Sequence, residues 1–336
     1  MVKPANRSRS QSSSPARPQK PKEVVLAGLH DNQLGEEIFG TILKSGDTFF
    51  DEIQGNRIAK STLDYAVVLP LLKPRLFTGL RAPPKAILLF GPPGNGKTLL
   101  ARATATEAHA TFFAISAADI VSKWFGDGER RVRTLFHMAS NAAPSIIFID
   151  EVDSLLSERG HEGHEASKRI TLEFLSQMEG CNAKSERVLV LAATNRPQDL
   201  DGASIRRFSM RIYVDLPGHR SRTRMIKDTF KLDRDTKVNI TKDEFISIGK
   251  ETKRYSFSDL RHLCEEASRA PVHDARRENP SLVGVSLPAD LRAVTHDDLK
   301  AALRVVRASV KEEDISALDK WAAKYAVLEE KEETND

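Results

Sequence analysis

Short apolar runs alternate with segments of helical periodicity in the middle of this chain. Five runs are strand candidates, because each is short and rich in β-branched or aromatic residues: Ala86–Phe90, Thr111–Ile115, Ser145–Ile149, Val188–Ala193 and Arg211–Val214. Four helical segments lie between them: Leu99–Ala108, Ala117–Lys123, Glu129–Asn141 and Glu165–Met178. Strands that alternate with helices in this way predict an α/β fold, with a parallel five-stranded sheet flanked by helices.

The pattern differs before and after this region. Asn32–Leu43 is predicted to form an amphipathic linker helix, since Leu34, Ile38 and Ile42 fall on one of its faces. Beyond Pro217 the strand pattern ends, and five helices are predicted: Ser221–Lys231, Lys242–Glu251, Ser258–Arg277, His296–Val310 and Ile315–Ala326. Three folded parts are therefore expected: a large α/β subdomain over 23–217, a small all-helical lid over 218–310, and a C-terminal helix and tail over 311–336.

The N-terminal tail differs from the rest of the chain in charge and composition. Residues 1–22 are rich in Ser and Pro and carry six basic side chains but no acidic one, so we expect them to be disordered. Removing those six charges from the net charge of +4 leaves about −2 for residues 23–336. The tail is then either a solvated leader or a weak electrostatic contact for an acidic polymer, whereas the nearly neutral remainder disfavours a nucleic-acid machine.

The composition is that of a globular protein of the cell interior. No apolar stretch of the sequence approaches the roughly 20 residues that span a bilayer, so no membrane segment is expected. The N-terminus has no apolar signal-peptide core. The two cysteines, Cys181 and Cys264, give no disulfide framework, which favours a reducing intracellular compartment.

The segment Gly91-Pro-Pro-Gly-Asn-Gly-Lys-Thr98 directly follows the first strand candidate and opens a predicted helix. It matches the phosphate-binding pattern G-x-x-x-x-G-K-[ST] in the strand–loop–helix context that the pattern requires. Its glycines let backbone N–H groups converge on an anion at the positive end of the helix. Lys97 is expected to reach the terminal phosphates, and the Thr98 hydroxyl to bind Mg²⁺. A nucleoside triphosphate is therefore expected to contact Gly91, Pro92, Pro93, Gly94, Asn95, Gly96, Lys97, Thr98 and Leu99.

Polar side chains follow two further strand candidates. Asp150 and Glu151 come at the end of the third apolar run, at the edge where α/β sheets bind ligands. Asp150 is suited to bind Mg²⁺ and Glu151 to act as the general base that activates water, the alternative being simple acidic turn residues. Asn195 follows the next run and either holds that water, contacts the γ-phosphate or belongs to a turn. Arg206 and Arg207 are either solvated surface charges or arginine fingers for a neighbouring subunit.

These motifs resemble the AAA ATPases, and more narrowly the meiotic clade that contains spastin, katanin, fidgetin and the ESCRT-disassembly ATPases. The resemblance extends over about residues 34–326 and is strongest to the spastin branch. The features that carry it are Leu76–Pro84, the Asn95 form of the glycine loop, Pro144–Leu156, His164–Arg169, and the helix around Trp321 and Tyr325.

The resemblance implies roles for residues of the nucleotide site: Walker A at Gly91–Thr98, Walker B at Asp150 and Glu151, sensor 1 at Asn195, and arginine fingers at Arg206 and Arg207. Such fingers would reach the next subunit's nucleotide in a homo-oligomer, typically a hexameric ring. Asp51, Ile53 and Gly55 fall where relatives hold adenine. Ser258 falls where the lid contacts the nucleotide. Phe257 replaces a glycine that lies close to the nucleotide in relatives, so nucleotide affinity or lid geometry is expected to differ.

Two loops fall where the family lines a central pore. The first contains Lys123, Trp124, Phe125 and Gly126, and the second contains Arg159, His161 and His164. A Trp-Phe pair in a glycine-flanked loop between polar helices is poorly placed for a core. The alternative is an aromatic wedge that pins the loop to its own domain. A cationic channel would suit an acidic peptide such as a tubulin tail.

The resemblance implies ATP and Mg²⁺ as cofactors, and an ATP-driven ring motor that threads the acidic tails of tubulin and severs microtubules. Such a protein is expected in the cytoplasm on the cytoskeleton, with the nucleus as an alternative compartment. Katanin-type severing and ESCRT-filament disassembly remain alternatives of the same enzyme class. A nucleotide-gated scaffold with little turnover is the alternative that Phe257 motivates.

Overall fold

The computed structural model of this chain describes residues 20–29, 32–43, 48–117, 120, 128–157, 165–180, 187–279, 281 and 290–327. Its strands are Ile42–Leu43 (β1), Ala86–Phe90 (β2), Thr111–Ser116 (β3), Ser145–Asp150 (β4), Val188–Thr194 (β5), Met210–Tyr213 (β6), Val238–Asn239 (β7) and Val294–Thr295 (β8). Its α-helices are Lys22–Val25 (α1), Asn32–Phe39 (α2), Arg57–Leu63 (α3), Leu69–Leu72 (α4), Lys97–Glu107 (α5), Gly128–Asn141 (α6), Asp153–Leu156 (α7), Glu165–Gly180 (α8), Gly202–Arg207 (α9), His219–Leu232 (α10), Lys242–Glu251 (α11), Phe257–Glu278 (α12), His296–Val305 (α13) and Glu312–Tyr325 (α14). Short 3₁₀ segments lie at Phe50–Glu52, Pro74–Leu76, Gly79–Arg81 and Pro197–Asp199, and a π-helical segment lies at Asp64–Val68.

Six strands form the large sheet in the order β1-β3-β4-β5-β2-β6. Strands β2 to β6 run parallel, which confirms the predicted parallel five-stranded sheet. β1 is an addition, since it pairs antiparallel with β3 and places Ile42 opposite Phe113. The predicted linker helix consequently ends earlier, at Phe39. The Thr41 carbonyl accepts a hydrogen bond from the Ala114 N–H at 3.2 Å, which draws the residues after the helix into the sheet.

The sheet is buried on both faces, and its side chains alternate between two cores. Along β2, Leu88 and Phe90 belong to one core, whereas Ile87 and Leu89 belong to the other. Helices α6 and α8 cover the first core and α5 covers the second. A strand buried on both faces needs no polar residue, which explains its continuous apolar run. Because β4, β5 and β2 are neighbours in the sheet, their carboxyl ends open onto one edge.

A third core lies beyond residue 218 and is formed mainly by helices α10 to α13. The prediction of an all-helical lid is wrong in one detail, because Val238–Asn239 pairs in parallel with Val294–Thr295. Each of these short strands ends beside a helix start, and capping boxes at Thr241 and Thr295 begin the two helices. The pairing thus holds together two helix N-termini that are distant in sequence. The boundary near residue 218 stays a prediction.

The C-terminal helix α14 packs against the large sheet. Trp321 lies edge-on to Phe90 with the ring centroids 4.5 Å apart, and both belong to the first core of the sheet. The Tyr213 hydroxyl donates to Asp319 Oδ1 at 2.9 Å and so joins β6 to the helix. Phe90 immediately precedes Gly91 in the sequence. The helix therefore supports the strand from which the glycine loop leaves the sheet.

The described part of the chain begins within the segment predicted to be a disordered tail. Lys20 Nζ donates to the Asn141 carbonyl at 2.8 Å, and α1 begins at Lys22. Val25 is 1% exposed, and α1 packs against α6, so the prediction of disorder is wrong for residues 20–22. Residues 1–19 lie outside the described residues. Among the described residues, no helix combines the length and apolar character needed to cross a membrane.

Candidate nucleotide-binding site

The loop between β2 and α5 has the backbone geometry of an anion-binding loop. Gly91 and Gly94 have φ angles of +146° and +75°, in the region that favours glycine. A Cβ atom on Gly91 would lie 2.2 Å from the Val214 carbonyl oxygen, and one on Gly94 would lie 2.8 Å from Ser256 Oγ. Helix α5 then begins at Lys97, so the positive end of its dipole faces the loop. The loop is therefore shaped for close approach of a phosphate.

The other predicted residues of this loop divide between the interior and the surface. Pro92 and Asn95 are buried, whereas Pro93, Thr98 and Leu99 are exposed. The Asn95 side-chain oxygen is buried without a hydrogen-bond partner among the described residues. Leaving such an acceptor unsatisfied costs free energy, so a donor on a bound ligand or a water molecule fits beside it.

Lys97 supplies a buried positive charge to the loop. Lys97 is only 7% exposed, and its Nζ donates to the carbonyls of Gly91 and Pro92, each at 2.9 Å. Burial lowers the pKa of Lys97 from 10.5 to about 8, and the negative charges of Asp150 and Asp153 oppose that shift. Because its hydrogen-bond partners are neutral carbonyls, an anionic phosphate would stabilise the ammonium further.

Thr98 and Asp150 form an oxygen pair suited to a hard cation. The Thr98 hydroxyl donates to Asp150 Oδ2 at 2.7 Å, and the Glu151 N–H donates to Asp150 Oδ1 at 3.0 Å. Mg²⁺ prefers oxygen ligands and is usually held by one or two protein groups together with phosphate oxygens and water. The donor set therefore fits Mg²⁺ bound beside a nucleotide, as the sequence predicts.

Glu151 occupies a strained turn at the carboxyl edge of the sheet. Its φ angle is +51°, which is unfavourable for a residue with a Cβ atom and costs on the order of 1–3 kcal/mol. The Val152 N–H donates to the Ala193 carbonyl at 3.0 Å, which fixes the turn against β5. The residue is exposed. The turn thus presents the carboxylate at the open edge, where a water molecule can reach it.

Asn195 lies beside this turn, at the end of β5. It is half-buried, and its side-chain oxygen has no hydrogen-bond partner in the part of the chain that the structure describes. The preceding Thr194 hydroxyl donates to Asp153 Oδ1 at 2.6 Å and accepts from the Arg196 N–H at 2.9 Å. Sequence reasoning missed Thr194 and Asp153. The available signal was their position, since Thr194 directly precedes Asn195 and Asp153 follows Glu151 by two residues.

The residues expected around adenine approach the glycine loop from two sides. Ile53 is buried, and its carbonyl accepts a hydrogen bond from Lys60 Nζ, whereas Asp51 is exposed. Residues 51–56, which we call the base loop, contact the glycine loop through Asn56, whose Nδ2 donates to the Asn95 carbonyl at 3.4 Å. From the lid, the Ser258 N–H donates to the Gly94 carbonyl at 3.1 Å.

Comparison with known proteins bears on this arrangement. The sequence profile of the ATPase family associated with various cellular activities (AAA) matches residues 87–216. The chain is 48% identical over 278 residues to Fidgetin-like protein 1 of Caenorhabditis briggsae, covering 82% of this chain and 46% of that protein. It is 44% identical over 305 residues to spastin of Drosophila melanogaster, covering 90% of this chain and 39% of that protein. The chain thus spans less than half the length of these relatives.

A solved structure extends the likeness to the fold. The structure of the FIGL-1 AAA domain in complex with ADP is 41% identical, with a TM-score of 0.81, and the match covers 90% of this chain and 99% of that domain. The chain belongs to the AAA family of ATPases. A katanin AAA structure, described as the structural basis for katanin self-assembly, matches this AAA domain at 38% identity with a TM-score of 0.73, over 88% of this chain and 99% of the other. The family, fold and ATPase class inferred from the motifs are confirmed.

The two predicted arginine fingers of this AAA domain lie on the short helix α9. Arg206 is exposed, and its Nε donates to the Gly202 carbonyl at 3.1 Å. Arg207 Nη1 donates to the Ala203 carbonyl at 3.1 Å, and its Nε lies 2.8 Å from Glu179 Oε1 on α8. The structure therefore does not bring these two arginines into hydrogen-bonding contact with the glycine loop of their own chain.

The predicted pore residues of the AAA domain, Lys123, Trp124, Phe125, Gly126, Arg159, His161 and His164, lie outside the described residues. The helices that follow the two loops are described and are joined to each other. Arg133 on α6 donates through two nitrogens to the two carboxylate oxygens of Glu173 on α8, at 2.8 and 2.9 Å. Helices α6 and α8 therefore form one packed unit.

Proposed function

We propose that this AAA domain hydrolyses ATP with Mg²⁺ in a homo-oligomeric ring and uses the energy to pull acidic tubulin tails and sever microtubules. The observation that supports hydrolysis is the convergence of Lys97, the Thr98–Asp150 pair and Glu151 at one sheet edge. Nucleotide binding alone would need the loop and its lysine. The carboxylate in the neighbouring turn supplies what hydrolysis adds, a base for water.

Each residue has a separate task in this proposal. The backbone N–H groups of the glycine loop and Lys97 Nζ hold the phosphates, and Thr98 and Asp150 hold the metal ion. When bound, Mg²⁺ neutralises charge on the phosphate oxygens. Glu151 accepts a proton from the attacking water through its carboxylate oxygen. The Asn195 side-chain oxygen, which has no hydrogen-bond partner among the described residues, accepts a hydrogen bond from that water. Both side chains then orient the water toward the terminal phosphorus.

The arrangement of Arg206 and Arg207 supports a site shared between subunits. Arg206 is exposed and Arg207 is half-buried, and each donates to a carbonyl of α9, while Arg207 also pairs with Glu179 of α8. Arginine is favoured for neutralising a transferring phosphoryl group because it presents several fixed donors. A ring of identical chains, most simply a hexamer, would deliver these donors to the adjacent nucleotide.

The proposed substrate rests on the resemblance and on the names of the relatives. Spastin is among the proteins most similar to this chain, and Fidgetin-like protein 1 and katanin share its AAA fold. The predicted pore residues combine a lysine, an aromatic pair and histidines, which suits an acidic, flexible peptide. We propose cytoskeletal association in the cytoplasm on the same grounds.

The experiment combines hydrolysis with imaging. Purified chain and ATP are added to fluorescent, surface-attached microtubules, and breaks and released phosphate are measured together. Microtubules whose tubulin tails have been removed by protease serve as the substrate control, and the Glu151→Gln variant serves as the protein control. We expect breaks only with intact tails, ATP and Glu151. Hydrolysis without breaks would redirect the proposal to another filament, and phosphate release that Glu151→Gln leaves unchanged would contradict the assigned active site.

A further inference from the structure

The first turn of lid helix α12 contacts the glycine loop directly. The Ser258 N–H donates to the Gly94 carbonyl at 3.1 Å. A Cβ atom on Gly94 would lie 2.8 Å from Ser256 Oγ and 2.9 Å from the Ser258 Cβ, so the two segments are in van der Waals contact. Ser256 also caps the helix by accepting from the Asp259 N–H. The residue between these two serines, Phe257, is therefore held in place by contacts on both sides.

The Phe257 ring packs on the base loop rather than on the glycine loop. A Cβ atom on Gly55 would lie 3.3 Å from Phe257 Cζ and 3.3 Å from Ser221 Oγ of α10. Gly55 also has a φ angle of +69°, which further disfavours any other residue. The absence of a side chain at this position lets the ring approach the backbone of the loop.

The base loop has polar links on both sides of this contact. Gln54 Nε2 donates to Asp228 Oδ2 of α10 at 2.8 Å, which ties the loop to the lid. Asn56 Nδ2 donates to the Asn95 carbonyl at 3.4 Å, which ties it to the glycine loop. Gly55 lies between these two residues, and so Phe257 covers the centre of a loop that is fixed at each side. The lid therefore contacts the base loop through the Phe257 ring and the glycine loop through Ser256 and Ser258.

We propose that Phe257 is a positioning residue that holds the base loop against the lid and thereby strengthens binding of the nucleotide's base without changing binding of its phosphates. The inference rests on the nucleotide site proposed above. A loop that is already ordered loses less conformational entropy when a ligand binds, so its contacts contribute more to affinity. The phosphate contacts are built by α5 and the glycine loop, and Phe257 makes none of them. Changing Phe257 should therefore alter binding of the base and leave binding of the phosphates unchanged.

The test compares a ligand that carries a base with one that does not. Binding of ADP and of inorganic tripolyphosphate, each with Mg²⁺, is measured by calorimetry for the wild type and for Phe257→Gly. We expect ADP binding to weaken about tenfold, the size of a loss of about 1.4 kcal/mol, and tripolyphosphate binding to stay within about twofold. Phe257→Leu keeps an apolar side chain and should recover most of the ADP affinity. Leu232→Gly, at an 82% exposed position of the lid, is the matched control and should change neither ligand.

A second variant tests the contact from its other side. Gly55→Ala adds the methyl group that would press on the Phe257 ring and should also weaken ADP binding. Part of this loss is steric and part is backbone strain, so the added loss should be smaller when Phe257→Gly is already present. Amide hydrogen exchange over residues 51–57 should be faster in Phe257→Gly than in the wild type.

Three outcomes distinguish the failures. Equal weakening of ADP and tripolyphosphate by Phe257→Gly would assign Phe257 a general structural role and overturn the inference. Tighter ADP binding by Phe257→Gly would mean that the ring obstructs the base, which also overturns it. A wild type that binds neither ligand would instead contradict the proposed nucleotide site, independently of Phe257.

Discussion

The positive charges at the two ends of the proposed active site are held in different ways. Lys97 is 7% exposed and is enclosed by carbonyls of the loop that it serves. Arg206 is exposed on a short helix, and its hydrogen bond goes to a carbonyl of that helix. The phosphate-binding end is thus organised within the chain, whereas the arginine end lies on its surface. Such a difference is explained if each chain completes the site of a neighbour.

The difference also has an energetic side. Removing an ammonium group from water is unfavourable, and for Lys97 this cost is expressed as a lowered pKa, which a bound phosphate would raise again. An exposed guanidinium such as Arg206 keeps its hydration until a partner covers it. The buried charge is therefore sensitive to pH and ligand, and the exposed charges are sensitive to assembly. Variants and pH changes at the two ends should test this contrast, with effects that range from about a hundredfold to about twofold.

The largest expected effect concerns the shared site. Glu151→Gln removes the base and Arg206→Ala removes the finger, so each variant alone should lose at least about a hundredfold of its ATPase rate. A mixed ring contains sites in which the Arg206→Ala chain supplies Glu151 and the Glu151→Gln neighbour supplies Arg206. An equimolar mixture should recover roughly a quarter of the wild-type rate if such sites form at random. Phosphate release from the separate and mixed variants measures this.

The control for mixing is Arg234→Ala, which removes an exposed arginine from the lid, outside the proposed site. This variant should keep wild-type activity alone, which would show that loss of a surface arginine is not in itself inactivating. Mixtures of Glu151→Gln with a second Glu151 variant should stay inactive. If the Glu151→Gln and Arg206→Ala mixture gained nothing, Arg206 would act within its own chain or only on the surface.

The next effect concerns pH and the buried lysine. With its pKa at about 8, Lys97 is largely deprotonated at pH 9 when no nucleotide is bound. Because phosphates favour the ammonium form, ADP affinity should fall about tenfold between pH 7 and pH 9, and binding near pH 8 should take up protons. Calorimetry in two buffers of different ionisation enthalpy detects the uptake. Lys97→Met should bind weakly and show no uptake at this pH.

The same lysine gives a sign for the pH dependence of stability. Its folded pKa of about 8 lies below the ordinary value of 10.5, so between these limits the unfolded chain binds more protons than the folded chain. Lys97 should therefore increase the free energy of unfolding, and so stabilise the folded chain, as pH rises through this window. Urea unfolding of the wild type and of Lys97→Met at pH 8 and pH 10 isolates the contribution of Lys97, since all other titrating groups are the same in both proteins. A difference that moves the opposite way would mean that Lys97 is stabilised as a cation without nucleotide.

The proposed phosphate end is encoded largely by local patterns. The strand before Gly91, the glycine spacing and the carboxylates at the end of β4 are all encoded by neighbouring residues, and the structure brings them together at one edge. Helix Arg57–Leu63 and its continuation to Leu72 were not predicted; the structure accommodates Pro70 in the first turn of α4, where a proline is tolerated. Strands β1, β7 and β8 are two residues long and are defined by the strands they pair with. Two residues are too few to show a periodicity from which a strand could be predicted.

Local sequence patterns do not predict contacts between residues that are distant in the chain. Thr194 and Asp153 are joined across two strand ends, and Phe257 meets Gly55 across the boundary between the lid and the base loop. The sequence marks each of these residues only as a neighbour of a motif. Nothing in their spacing states which residues of the other segment they contact. Sequence reasoning therefore located the candidate site, and the structure supplied the residues that position its side chains.

The third prediction tests whether the phosphate end is positioned by its own chain. Thr194→Val keeps the shape of the side chain but removes the hydrogen bond to Asp153. A hydrogen bond to a charged group contributes about 1.5–3 kcal/mol, and this one is part-buried, so the free energy of unfolding should fall by up to about that amount. The ATPase rate should also drop several-fold if the turn around Glu151 shifts, with ADP affinity preserved. Thr194→Ser restores the hydroxyl and should restore the rate; a rate that Thr194→Val leaves unchanged would separate this bond from catalysis.

The smallest expected effect concerns how Arg207 is held. Its Nε lies 2.8 Å from Glu179 Oε1, and the Glu179 side chain is 61% exposed. Exposed ion pairs of this kind contribute about 0–1 kcal/mol, so Glu179→Gln should leave the unfolding temperature nearly unchanged. If Glu179 orients the finger, the variant should still lower the ATPase rate of the assembled protein about two- to threefold, without altering ADP binding. The matched control is Glu266→Gln, which breaks the exposed Arg269–Glu266 pair of the lid, 2.9 Å apart. Equal ATPase rates for the two variants would mean that Arg207, like Arg206, depends on its own helix and the neighbouring subunit for its orientation.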